Sequence, residues 1–362
     1  MNIYRLRLIF IFLVPLCIAV GLNVHKIELS EQVGFYIDTS VKEADYGIVQ
    51  GDIVLFPDEI TYLKWMFHRE ESFERFVAGE GGLSLNLYGY MVGGLYILFD
   101  DWKYLLLIGL VNFCVFFYSS KKLLECIGFE KNSMLLLLGL MMFSPAVINL
   151  ASGFMRDLLI LAFINFSLIS LIKRKLLYFF FSCLMLFVLR NSMLVILLPI
   201  FVYFFYFNKY KKIKVSFFIP GVTAVVYVVL IFLMGEFGSQ YETTSLEILY
   251  RTIEVFTGLN LVVVRFDEIF SSKGAALLEN MAHVYQLLIM MTLYFLLILR
   301  GFKLHIFFIP FASVCLLLAY LYGAYLGFFV GRTKLIILWL AIICIGFSNS
   351  GLINFKEKAV YD

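Results

Sequence analysis

Charge is scarce in this sequence. Only 15% of its 362 residues are Asp, Glu, Lys or Arg, while 62% are hydrophobic and the mean hydropathy is +0.93. Soluble domains carry about 25% charged residues and about 45–50% apolar ones, so that class is excluded. No GxGxxG, P-loop, HExxH or GxSxG motif is present, which removes the common nucleotide, zinc-protease and serine-hydrolase signatures. Cysteine is sparse: Cys17, Cys114, Cys183, Cys315 and Cys344 fall in apolar runs, and Cys126 is expected in a short Lys-flanked loop. None has a CxxC partner or metal-ligand spacing, so they read as packing residues rather than a disulfide framework. No basic patch with interleaved aromatics exists, so no nucleic-acid partner is expected.

What is present is a series of long apolar runs with short charged punctuation. About 20 apolar residues cross the hydrocarbon core as a helix, and the runs predict spans near 4–22, 104–120, 133–152, 157–172, 176–189, 192–207, 215–235, 281–299, 304–326 and 334–348. The expectation is an all-α polytopic membrane protein of about ten transmembrane helices, a single integral membrane domain over 1–362. The first run follows Arg5 and Arg7. Ala19-Val20-Gly21 could serve as a cleavage motif and Leu16 spoils a lipoprotein signal before Cys17, so the run reads as an uncleaved signal-anchor.

Orientation follows from Lys and Arg, which collect in short cytoplasmic loops. The clusters are Arg5/Arg7, Lys121/Lys122/Lys131, Lys173-Arg174-Lys175, Lys209/Lys211/Lys212/Lys214, Arg300/Lys303 and Lys356/Lys358. All six sit inside when the ten spans alternate. Counting Leu83–Phe99 as an eleventh crossing would turn three of them outward, so this Gly- and Tyr-rich segment reads as a re-entrant or interfacial helix on the outer face. Outer loops are then expected at 24–103 and 236–280. The stretch 24–82 alone carries 12 of the 26 acidic residues and only five Lys and Arg.

The candidate chemistry lies at that outer side. Phe56-Pro57-Asp58-Glu59-Ile60-Thr61-Tyr62 places two carboxylates at a turn before an amphipathic stretch; either one of them is a general base, or Asp58 is a helix N-cap and Glu59 a first-turn acid complementing the helix dipole. Arg156-Asp157, after Ser144-Pro145, and Leu189-Arg190 place isolated arginines at outer mouths between spans, where charge is rare and usually functional. Their plainer readings are an interfacial ion pair and snorkelling to headgroups. Arg265-Phe266-Asp267-Glu268 echoes the first acidic pair. His283 and Tyr285 stand at the outer end of a span, where an interfacial belt also explains them. The acidic pairs could ligate Mg²⁺, but no spacing requires a metal.

An acid beside arginines at the outer leaflet suits transfer from a lipid phosphate. A carboxylate takes a hydroxyl proton, and guanidinium groups hold and neutralise the phosphate. The N-terminal span followed by Asp-Glu-x-x-Tyr, the Tyr-rich segment ending Tyr96-Ile97-Leu98-Phe99-Asp100, Ser144-Pro145 with Arg156-Asp157, and Leu189-Arg190 together resemble the GT-C superfamily of polyprenyl-phosphate-sugar-dependent glycosyltransferases. The likeness covers roughly residues 1–205 and extends to members serving bacterial surface polysaccharides, including O-antigen polymerases. It implies a GT-C-like fold, Asp58 or Glu59 as base, and Arg156, Asp157, Arg190, Tyr62, Arg265 and His283 as substrate-binding residues. It implies no required cofactor, a polyprenyl-phosphate-linked sugar donor, a lipid-linked glycan acceptor, and a bacterial inner membrane with the active face periplasmic. The competing expectation is a flippase or other polysaccharide transporter, which places ionisable groups near the bilayer midplane. The interiors of the ten expected spans hold no Asp, Glu, Lys or Arg.

Overall fold

The computed structural model describes residues 3–35, 47–49, 52–65, 83–189, 272–300 and 334–350. These are mostly helical. The expected spans near 192–207, 215–235 and 304–326 lie outside the described residues.

The first helix, α1 (Ile3–Val33), is 31 residues long and does not end near residue 22 as its apolar run suggests. Its charged extension persists because one face stays buried: Ala19, Asn23, Lys26 and Ser30 recur at helical spacing and are all buried. His25, Lys26, Glu28 and Glu31 therefore stand on a helix and not in a loop. A short antiparallel ribbon follows, β1 (Gly47–Val49) on β2 (Asp52–Leu55). It leads into α2 (Pro57–Trp65), where Pro57 opens the helix and Asp58 and Glu59 occupy the first turn.

Leu83–Phe99, expected as a helix, forms one, α3. Tyr88 and Val92 are buried while Met91, Ile97, Leu98 and Phe99 are exposed. A 3-10 turn, Trp102–Leu105, then leads into α4 (Leu106–Ile127). The expected span at 133–152 is not one rod. It divides into α5 (Lys131–Met142) and α6 (Pro145–Ala151), bent by 64°. Pro145 lacks the N–H that would continue the ladder, and Ser144 N–H bonds Met141 O instead of Leu140 O. The Tyr285 hydroxyl donates to that Leu140 carbonyl.

The remaining described helices are α7 (Asp157–Ile172), α8 (Leu176–Leu189), α9 (Gly274–Arg300) and α10 (Lys334–Ser350). α9 begins seven residues before its expected span and so takes in the end of the second outer loop. Ile3–Val33 and Trp102–Ile127 are each long and apolar enough to cross a membrane, and the bent pair α5–α6 would make a third crossing. Leu177, Phe180, Phe181 and Leu184 on α8 and Phe295 and Ile298 on α9 stand more than half exposed. Contiguous apolar surface of that kind suits lipid contact rather than water.

Polar side chains bind the helices to each other. Asn165 of α7 donates to Ser119 Oγ (3.1 Å) and Ser120 Oγ (3.0 Å) of α4, and accepts from Trp339 Nε1 of α10 (2.8 Å). This buried amide uses both donors and its acceptor, as interhelical polar contacts do in membrane bundles.

The bundle has two unlike ends. Lys131 Nζ lies 5.6 Å from the Tyr4 ring centre. Lys121 and Lys122 pair with Glu125 at 3.5 and 3.0 Å, Glu125 lies near Tyr4, and Lys173 lies near Cys126. Two further basic clusters thus share one end with Arg5 and Arg7. At the other end, α1 has climbed from Tyr4 to Lys26, a rise of about 33 Å at 1.5 Å per residue, close to a hydrocarbon core of about 30 Å.

Candidate functional site

The end opposite the basic clusters is built around an irregular turn, Ser152–Arg156, joining α6 to α7. Gly153 permits it, and Phe154 and Met155 within it are fully buried. Irregular backbone in a membrane bundle survives only where its polar groups find protein partners. Four side chains from four helices supply them. Lys26 Nζ of α1 donates to Ser152 O at 2.7 Å, and Glu59 Oε1 of α2 accepts from Phe154 N–H at 2.7 Å. The Tyr88 hydroxyl of α3 donates to Phe154 O at 2.8 Å, and Asn112 Nδ2 of α4 to Met155 O at 3.1 Å.

Glu59 also accepts the Phe56 N–H through Oε2 at 2.9 Å. That is a capping box closed from the third helical residue onto the residue before the helix. The N-cap expected at Asp58 falls instead at Phe56, because the helix already starts at Pro57; Glu59 is the first-turn acid expected, and the same carboxylate reaches across to the turn. Its closeness has a steric signature: a Cβ on Gly153 would be driven into Glu59 Oε1. A Cβ on Gly109 would likewise collide with Gly153 O and Ala151 O, so α4 lies backbone-to-backbone against the turn.

Beside this clamp lies the group expected from sequence. Tyr62 is buried one helical turn after Asp58, and the Arg156 guanidinium sits 5.9 Å from its ring centre. Arg156 is itself buried and donates from Nη1 to Leu189 O at 2.6 Å, the residue before Arg190. Asp58 and Asp157 are half-buried and near enough to act electrostatically on the Tyr62 phenol. Burial raises the phenol above its ordinary range, against the opposing pull of Arg156, so it stays a donor. Among the described residues nothing hydrogen-bonds the buried Tyr62 hydroxyl.

The structure thus brings Asp58, Glu59, Tyr62, Arg156 and Asp157 together, though they come from segments nearly 100 residues apart. His283 is buried on α9, four residues after Glu279, whose carboxylate lies near Lys26. Arg190 and Arg265 lie outside the described residues. Among the described residues no three His, Cys, Asp or Glu side chains converge as metal ligands.

Several site residues carry no local sequence signal. Lys26 falls past the apolar run, Asn112 is one amide inside another, and Gly153 is an ordinary small residue until Glu59 is placed against it. Their partners are 126, 43 and 94 positions away. No family model matches the chain, and no curated protein or solved structure matches it either.

Proposed function

We propose that this chain is a multi-pass membrane glycosyltransferase. It would move sugar from a polyprenyl-(di)phosphate-linked donor to a glycan acceptor on the outer, periplasmic face of a bacterial inner membrane. It would serve O-antigen, capsule or exopolysaccharide assembly, adding single sugars or joining repeat units. The observation that carries the reading is the Tyr62 hydroxyl, a buried donor with no partner among the described residues beside a buried guanidinium. Leaving such a donor unmade costs about 1–3 kcal/mol, and a phosphate oxygen is the acceptor that a phenol and an arginine together select.

The roles then divide. Arg156 and Tyr62 hold the carrier phosphate, with Arg190, next in sequence to the Leu189 whose carbonyl Arg156 grips, as a further ligand. Both Glu59 oxygens accept backbone N–H groups, so Asp58 takes the proton from the attacking hydroxyl. The acceptor oxygen bonds to the anomeric carbon, the bond from that carbon to the phosphate oxygen breaks, and the phosphate leaves with the electron pair. The basic clusters at the opposite end support the external placement of this site.

A lipid-linked oligosaccharide flippase is the second reading, favoured by one residue. Lys26 lies buried on a membrane helix near Asp52, Glu59 and Glu279, and intramembrane charge often marks a transport path. Its ammonium is spent on Ser152 O and the Phe56 ring face, which suits a structural role better.

Proteoliposomes holding the protein, a polyprenyl-phosphate-linked hexose and an oligosaccharide acceptor test the two readings. Elongated glycan made by wild type and lost in Asp58→Asn supports transfer. Movement of intact lipid-linked sugar between leaflets, with no new linkage, replaces it by transport.

A further inference from the structure

His25 lies outside the roles assigned so far. It precedes Lys26 on α1, and its Nε2 lies 2.9 Å from Asp52 Oδ2. The Asp52 side chain is only 4% exposed, whereas that of His25 is 48% exposed. Asp52 Oδ1 accepts the Ile53 N–H at 2.7 Å and the Ala276 N–H at 3.2 Å. Ala276 stands in the first turn of α9, so the carboxylate also faces the positive end of a 27-residue helix. Gly274 has φ +51°, and any side chain there would run into the Asp52 carboxylate. The glycine is needed both for its backbone and for that close approach.

A carboxylate held this way fixes the imidazole. An ionised carboxylate can only accept, so Nε2 donates, and in neutral histidine Nδ1 is left as an acceptor. Among the described residues nothing hydrogen-bonds Nδ1, on a half-exposed ring that neighbours Lys26, the residue gripping the Ser152 carbonyl of the clamped turn. A phosphate, which offers acceptors only, has no match there. A sugar hydroxyl does.

We propose that His25 recognises the glycan acceptor, with Nδ1 accepting a hydrogen bond from an acceptor hydroxyl, and that Asp52 is the positioning residue fixing its tautomer. The proposal rests on the glycosyl-transfer reading and deepens it. It separates two subsites: an anion subsite at Arg156 and Tyr62, and a neutral hydroxyl subsite at His25.

The test uses the full chain in nanodiscs with an undecaprenyl-phosphate-linked hexose and a panel of neutral oligosaccharides, maltotetraose and chitotetraose among them. In His25→Ala the KM for the acceptor should rise about five- to tenfold, with kcat and the donor KM unchanged, as for one lost neutral hydrogen bond. His25→Gln, whose amide oxygen still accepts, should recover most of that loss. Asp52→Asn can donate to Nε2 and turn the outward nitrogen into a donor, so it should match His25→Ala while keeping the imidazole. If that variant proves unstable, the two His25 variants decide the matter alone. An unchanged acceptor KM in His25→Ala overturns the proposal, as does a fall in kcat at unchanged KM, which would make His25 a proton carrier. Calorimetric binding of the same oligosaccharides reads the subsite without turnover, and equal affinities for wild type and His25→Ala also overturn it. Absence of any product from wild type would instead strike the glycosyl-transfer reading.

Discussion

The carboxylate of Glu59 and the backbone of Gly153 meet so closely that one methyl group on the glycine would displace the acid. Gly153→Ala should therefore lower stability by about 1–3 kcal/mol, the usual cost of overpacking, read as a fall in Tm in detergent. The double variant Glu59→Ala/Gly153→Ala should lose less than the sum of the single variants, because the two changes share one contact. Simple additivity would mean that the two residues do not touch.

Asp58 and Glu59 should part ways. Glu59→Gln puts an amide donor against one of two backbone N–H groups, so stability should fall by about 1–3 kcal/mol. Asp58→Asn should cost no more than the roughly 0.3–1 kcal/mol of a first-turn charge, while product formation drops about 10²–10⁴-fold, the contribution of a general base. Wild-type turnover in Asp58→Asn removes the base from this residue.

Tyr62→Phe deletes a buried hydroxyl that no described residue pairs. Thermal stability should hold or rise slightly, since an unsatisfied donor is removed. Donor KM should climb about tenfold. A stability loss without any change in donor KM would turn the hydroxyl into an ordinary structural group.

Arg156 combines a bond to Leu189 O with a cation–π contact to Tyr62, a two-sided role for a planar guanidinium that lysine copies poorly. Arg156→Lys should lose ten- to a hundredfold in rate, on the order of one charge-assisted hydrogen bond. Arg190→Lys should behave alike while both proteins insert normally, and lipid-linked precursor should build up on the outer face. Full activity in both variants would leave the carrier phosphate without its proposed ligands.

Single cysteines at Ser40 and Ser245 should label from outside the cell, and those at Ser133 and Tyr210 only after permeabilisation. External labelling of Ser133 would invert the bundle and carry the site with it.

Among the described residues, sequence and structure agree where hydropathy is the deciding force. Apolar runs become helices, and Leu83–Phe99 forms a helix of its own. Where burial is decided by partners far along the chain, local reading fails. The charged face of α1 ends an apolar run but not a helix, because Lys26 and Ser30 are buried against later segments. The break at Ser144-Pro145 hides inside a stretch whose hydropathy does not change. Asp58 and Glu59 are adjacent acids in sequence, and what sets Glu59 apart is a bond back to Phe56 together with a turn 95 residues away.

The fractured rod at Ser144 also bears on how the chain is built. All four side chains that clamp Ser152–Arg156 have left the ribosome before that turn does, so it can close as soon as it emerges. The Leu140 carbonyl has a different schedule. Its donor, Tyr285, is synthesised 145 residues later, which at about 5–20 residues per second is some 7–29 seconds. Over that interval the insertion machinery, or a wet vestibule beside it, has to shelter a bare carbonyl within the emerging bundle, and the amino-terminal half waits for α9 to finish it.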